Sequence, residues 1–323
     1  MGKKIIIGMA VVAALLTAAF LLGPRVSTDT QTTFQASAIG ADPDAYLAAR
    51  EARFDDIREG LEKGIVWAYP TSKARTPLAL VYVHGFSASR GEAAPLTERV
   101  AGELGANVFY TRLAGHGRDG EAMAEASVND WVNDFAEAMA IGRSIGEEVV
   151  VISVSTGGGL AAWGSLQPDL ATGLKGLVMI SPNFQVKAGG ASLLTGPWGA
   201  QLANLIIGAE RSWEPQNEAH GRLWTTRYPT AALLPMAALT KLAREAEYEA
   251  AKTPALFVFS DDDTVVDHTV TRAIAERWGG PHEMRVITQS GDSENHVIVG
   301  DALSPSTTAE FATFITAWIR ALP

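Results

Sequence analysis

The stretch Val149-Val150-Val151-Ile152-Ser153-Val154-Ser155-Thr156-Gly157-Gly158-Gly159-Leu160-Ala161-Ala162-Trp163 constrains this chain more than any other. A β-branched run of this kind reads as a buried strand, and it passes without a spacer into a glycine-rich turn and then a helical segment. The small residues around the corner let strand and helix approach closely, and the tight turn lifts the Ser155 hydroxyl out of the backbone. In the pattern G-x-S-x-G, Ser155 takes the central place, Gly157 the second small position, and Ser153 stands where the first glycine would be. The same turn could be purely structural. A phosphate cradle is a poorer reading, because the Walker lysine and a G-x-G-x-x-G run followed by an acidic residue are both absent.

A serine hydroxyl needs a base and an acid that orients the base. Ala255–Phe259 reads as an apolar strand ending in Ser260-Asp261-Asp262-Asp263-Thr264-Val265-Val266, which brings carboxylates to a strand's carboxyl end. Three adjacent aspartates also suggest a divalent ion, but they lack the alternating ligand spacing of a calcium loop, so no metal is expected. Met284–Thr288 reads as the last strand, and the polar loop after it carries His296. The other histidines have positional explanations: His84 and His116 lie in His-Gly turns, His220 in a long excursion, and His268 and His282 beside a helix. The order Ser155, Asp263, His296 on successive strand ends is the conjunction that matters. Val81-Tyr82-Val83-His84-Gly85-Phe86-Ser87 adds a tight turn after a buried strand, so the Phe86 and Thr156 amides are the candidate donors to an oxyanion.

Seven β-rich runs alternate with amphipathic segments: Ile65–Tyr69, Leu78–Val83, Asn107–Tyr110, Val149–Val154, Leu177–Ile180, Ala255–Phe259 and Met284–Thr288. This predicts an α/β fold with a mostly parallel sheet covered by helices on both faces. Val128, Trp131, Val132, Phe135 and Met139 share one helical stripe and read as core. From about 183 to 252 the alternation breaks into glycine-rich turns and tryptophans, which reads as an inserted helical cap. Asp42-Pro43 predicts a capped helix whose spacing continues through Tyr46, Ala49, Arg53, Phe54 and Ile57.

Residues Ile5 to Leu22 are almost unbroken in apolarity and follow Lys3 and Lys4, close to the ~20 residues a spanning helix needs. The residues directly after Leu22 lack a small-x-small cleavage site, so 1–25 reads as an uncleaved anchor with the body outside the cytoplasm, the bacterial periplasm being the expected compartment. The alternative is secretion after cleavage near Ala36-Ser37-Ala38. Residues 26–41, rich in Ser, Thr and Gln, read as a linker, leaving 42–323 for the globular domain. A net charge of -10 and only 26 basic residues argue against nucleic acid as a partner. The absence of cysteine excludes disulfides, thiolate metal sites and a cysteine nucleophile.

Together, the Ser155 turn, His84-Gly85-Phe86, Leu113-Ala114-Gly115-His116-Gly117, Trp131 with Asp134, and Asp263-Thr264-Val265-Val266 resemble the α/β-hydrolase superfamily. The likeness, from about Leu78 to Ile298, is to the group of monoacylglycerol lipases, bacterial carboxylesterases and serine aminopeptidase-like hydrolases. The resemblance selects Asp263, the aspartate before x-V-V, as the acid. It implies Ser155 as nucleophile, His296 as base, Phe86 and Thr156 as oxyanion donors, and a cap that shapes the acyl pocket. The expected activity is cleavage of small lipophilic carboxylic esters without a cofactor. Two alternatives stay open: an amidase or peptidase, for which Glu210, Glu214 and Glu218 could grip a free amino terminus, and a membrane-tethered binding protein without turnover.

Overall fold

The computed structural model describes residues 2–323. Its strands are β1 (Gly64–Val66), β2 (Thr76–Val83), β3 (Asn107–Tyr110), β4 (Gly146–Val154), β5 (Leu174–Ile180), β6 (Glu210–Ser212), β7 (Arg227–Pro229), β8 (Ala255–Ser260) and β9 (His282–Ile287). Its helices are α1 (Gly2–Leu21), α2 (Pro43–Glu51), α3 (Leu96–Leu104), α4 (Val128–Ile145), α5 (Ser155–Gly164), α6 (Pro168–Ala171), α7 (Gly199–Ile207), α8 (Glu218–Leu223), α9 (Leu233–Arg244), α10 (His268–Glu276) and α11 (Pro305–Arg320). Seven strands form one sheet in the order β1-β3-β2-β4-β5-β8-β9. All neighbours are parallel except β1, which runs antiparallel to β3. All seven runs read from the sequence lie in this sheet.

The central strands are apolar on both sides because both sides are covered. Val81, Val149, Val151, Met179 and Phe257 face a core built with Trp131 and Phe135 of α4 and Leu160 of α5. Their neighbours Leu80, Val150, Ile152, Val178 and Leu256 face Leu96 of α3 and Phe311 and Ile315 of α11. Alternation within each strand thus divides a continuous hydrophobic run between two cores.

Three expectations are revised. The first strand ends at Val66 rather than Tyr69, because the Ala68 N–H leaves the ladder to donate to Asn107 Oδ1 at 2.9 Å. Helix α2 has its Asp42 cap, whose side chain accepts from Ala45 N–H, but it stops at Glu51. There the Glu51 carboxylate receives both Arg112 Nε and Nη2 and the Lys63 N–H, and Phe54 turns beneath the Arg112 and Arg118 guanidinium groups at 4.9 and 4.6 Å. The excursion between β5 and β8 is mostly helical, yet it also holds the antiparallel ribbon β6–β7. Its helix α9 packs on α5, the helix that begins at Ser155.

Helix α1 has no buried residue and contains an 18-residue stretch of mean hydropathy 2.3, and it is long enough to cross a membrane. In the segment after it, Asn133 of α4 accepts the N–H groups of Thr33 and Phe34 on one side-chain oxygen, both at 2.8 Å, and Ile39 is buried. Part of the stretch read as a linker therefore lies docked along α4.

Candidate active site

Strand β4 ends at Val154 and α5 starts at the next residue, so the turn is made by Ser155 alone, at φ 50°. A non-glycine residue in this left-handed region carries strain of order 1–3 kcal/mol, sustained by the packing around it. Gly157 shows how tight that packing is: a Cβ there would lie 2.5 Å from the carbonyl oxygens of both Val83 and His84. Ser153 fits the remaining small position because its buried hydroxyl donates to Val178 O at 3.0 Å on the neighbouring strand.

Three distant segments meet at this turn. The Ser155 hydroxyl lies 3.0 Å from His296 Nε2, and His296 Nδ1 lies 2.8 Å from Asp263 Oδ2. An ionised carboxylate only accepts, so Nδ1 carries the proton and the Nε2 lone pair faces the serine hydroxyl. Of the three aspartates after β8, Asp261 and Asp262 are exposed and Asp263 is fully buried. The second oxygen of Asp263 accepts the N–H groups of Val265 and Val266 at 2.8 and 2.9 Å, which aims the first at the imidazole. Burial pushes the His296 pKa down, but the Asp263 charge and hydrogen bond, with Asp292 and Glu92 behind them, outweigh it and hold it above the ordinary value.

Asp292 is a residue of this cluster that sequence reasoning missed. Its buried carboxylate receives the His296 and Val297 N–H groups at 3.0 and 2.8 Å, the Glu294 N–H at 3.2 Å and Gln216 Nε2 at 2.7 Å. Burial pushes its pKa up, but these donors more than compensate and hold it below the usual carboxylate range. Nothing in the sequence marks Asp292, since Gln216 lies in the excursion and contacts it only through the fold.

The other wall of the site is the His84-Gly85-Phe86 turn. A Cβ on Gly85 would lie 3.1 Å from both Ser155 Cβ and Glu92 Oε2, so this turn abuts the serine. The Phe86 N–H has no acceptor among the described residues, and Thr156 lies in the first turn of α5, where amides lack partners inside the helix. His84, read from the sequence as part of a turn, is fully buried. Its Nε2 accepts the Leu113 N–H at 3.0 Å, and its Nδ1 lies 2.9 Å from Gly85 O, so it ties the two His-Gly turns together in neutral form. Burial lowers His116 to about 4, and its ring packs edge-on to Phe86. Trp131 Nε1 donates to Ala114 O at 3.0 Å, and Asp134 accepts the Ala114 N–H at 2.7 Å. Sequence reasoning also missed Glu92, whose Oε1 takes the Gly85 N–H and the Tyr82 hydroxyl; burial raises its pKa to about 7.

Of the histidines outside this cluster, His268 opens α10 with its Nε2 3.9 Å from Asp261 Oδ1. His220 lies tilted against Trp213 and edge-on to Trp224, with ring centroids 4.6 and 4.7 Å away, and His282 Nδ1 lies 3.1 Å from Gly280 O.

Residues 75–290 match the family described as serine aminopeptidase S33, of the Hydrolase_4 group. The chain belongs to this family. It is 30% identical over 202 residues to the thermostable monoacylglycerol lipase of Bacillus sp. (strain H-257), a match covering 62% of this chain and 76% of that protein. Its fold is similar to a structure reported for the metagenome-derived lipolytic enzymes LipS and LipT, with a TM-score of 0.67 and 22% identity over 82% of this chain and 99% of the other. The monoacylglycerol lipase of Paleococcus ferrophilus is similar at a TM-score of 0.57 and 19% identity, over 80% of this chain and 98% of the other. The sheet order and these likenesses identify the α/β-hydrolase fold.

Proposed function

We propose that this S33-family chain is a serine hydrolase that cleaves carboxylic esters of lipophilic alcohols or acids, in the manner its monoacylglycerol lipase relative suggests. The observation that carries the reading is the continuous hydrogen-bonded line Ser155–His296–Asp263 beside unpartnered amides. Ser155 Oγ attacks the acyl carbonyl while His296 Nε2 takes its proton, and the Phe86 and Thr156 amides hold the oxyanion. His296 returns the proton to the leaving alkoxide. Water then repeats the sequence on the acyl-enzyme, restoring Ser155 and releasing the acid. Asp263 keeps the imidazole in the productive tautomer and stabilises its charged form, and no cofactor enters these steps.

The family description brings a peptidase reading with it, but the carboxylates that could grip a free amino terminus do not support it. Glu210 is spent on Arg227 across the β6–β7 ribbon, and Glu214 and Glu218 are exposed to solvent. The excursion from about 183 to 252 acts in this proposal as a cap, since α9 covers α5 and Gln216 reaches the His296 loop. Helix α1 anchors the body to a membrane, its lysine-bearing end in the cytoplasm and the domain outside.

The test is hydrolysis of nitrophenyl esters of increasing acyl length by the full chain in detergent micelles, alongside Ser155→Ala. Turnover should fall by about 10⁴-fold or more in the mutant, and fluorophosphonate labelling should disappear. Full activity in Ser155→Ala would overturn the nucleophile assignment. Amide turnover with no ester turnover would favour the peptidase reading, and no reaction with fluorophosphonate the binding-protein reading.

A further inference from the structure

Large apolar side chains left in water cluster on one face of the excursion. Beyond α1 and Leu22, eight are exposed among the described residues, and five of these are Leu193, Trp198, Leu205, Ile206 and Ile207. Leu205 is 82% exposed and Ile206 66%. No charged residue occurs from Ala188 to Ala209, although charge is what normally keeps such a surface in water.

Trp198 ties this face to the end of α1. Its backbone N–H donates to Pro24 O at 2.8 Å, and its indole Nε1 donates to Ala19 O at 3.2 Å. That carbonyl is one of the last four of α1, which have no partner within the helix. The indole also packs on Gly23, where a Cβ would lie 2.1 Å from Nε1. Tryptophan with an apolar body and a bonded N–H suits the boundary between hydrocarbon and water.

We propose that this face of the excursion docks on the bilayer that α1 spans, with Leu205 and Ile206 entering the headgroup and acyl boundary and Trp198 at the interface. The proposal rests on reading α1 as a membrane anchor. A bilayer is the occupant because the patch is uncharged and adjoins the exit of α1. The layers run from α5, which begins at Ser155, through α9 to the 3-10 turn Ala191–Thr195 and α7. The docked face therefore lies on the cap side of the site, where an ester held in the bilayer would approach.

The chain has no cysteine, so Leu205→Cys and, as a control on α11, Glu310→Cys each accept a single environment-sensitive fluorophore. The full chain is reconstituted into phosphatidylcholine vesicles with and without doxyl-labelled phosphatidylcholine. The expected result is a blue shift and strong doxyl quenching at position 205, with neither at 310. In the full chain, Leu205→Glu with Ile206→Glu should lower hydrolysis of a vesicle-borne long-chain monoacylglycerol about tenfold, the loss from unburying part of two aliphatic side chains, and leave micellar nitrophenyl butyrate turnover unchanged. Flotation with the vesicles but no quenching at 205 overturns the docking and leaves the anchor standing. Failure to float overturns both. Shielding at 205 that grows with protein concentration without lipid overturns the proposal in favour of a second copy on this face.

Discussion

Gln216 Nε2 donates to Asp292 Oδ1 at 2.7 Å, and the other oxygen of Asp292 holds the His296 and Val297 amides. One side chain of the excursion thus bears, through a single carboxylate, on the loop that presents the His296 imidazole to Ser155. Removing either partner frees that loop without touching Ser155.

Asp292→Asn should lower kcat by about 10- to 100-fold, because small displacements of a proton-transfer group are costly, while KM changes little. Gln216→Ala should give a smaller loss in the same direction. The pH–rate profile separates positioning from mere destabilisation: Asp292→Asn removes a negative charge facing His296, so the acid limb should move to lower pH. An unchanged profile together with an unchanged kcat would remove Asp292 from the machinery.

The acid limb in the parent chain should lie above the ordinary imidazole value of 6.5, since His296 must be neutral to take the serine proton. Activity therefore falls as pH drops through the raised value. Stability has the opposite sign. A raised folded-state pKa means that the protonated His296–Asp263 pair adds stability that is complete below 6.5 and is lost as pH rises through the folded value. Parallel kcat/KM and unfolding profiles check both signs.

Glu92 carries a buried carboxylate raised from 4.5 to about 7. Its ionisation in the folded state costs stability that disappears at low pH, so the penalty grows between 4.5 and about 7 and is constant above. Glu92→Gln keeps an acceptor for the Gly85 N–H and removes the charge. It should stabilise the fold by up to about 3 kcal/mol at alkaline pH and not at pH 4, with an acid limb shifted downward. Melting temperatures of the two proteins at the two pH values decide it. A lower melting temperature for Glu92→Gln at alkaline pH would show that the charged hydrogen bonds outweigh desolvation.

Gly157→Ala should be poorly tolerated, because its methyl meets backbone carbonyls of Val83 and His84 at 2.5 Å and backbone cannot rotate away. The expected loss is about 1–3 kcal/mol in stability, with Ser155 displaced and its fluorophosphonate reaction slowed. Ser153→Ala is the contrasting case, removing only one buried hydroxyl bond at about 1 kcal/mol. Equal melting temperatures for Gly157→Ala and the parent would contradict the packing described.

Much of the candidate site was legible because local sequence suffices for it. Val149 to Trp163 specifies a strand, a tight corner and a helix through β-branched and glycine residues, and Ser155 has no other place in that unit. Asp263 was distinguished from its neighbours only through the family resemblance. The fold shows the physical difference: Asp263 alone is buried and bonded to the Val265 and Val266 amides. The end of α2 was not legible, since Arg112, 61 residues away, is what holds Glu51.

The sequence by itself determined the elements, because hydrophobic period and turn chemistry act over a few residues, and it determined which end of the sheet collects the polar groups. Tertiary structure alone decided the contacts that tune the site: Glu92 against the Gly85 amide, His84 between two turns, and Gln216 on Asp292. Each joins elements that the chain separates and the sheet order brings together. A polar side chain has no local signature for the partner it will meet there.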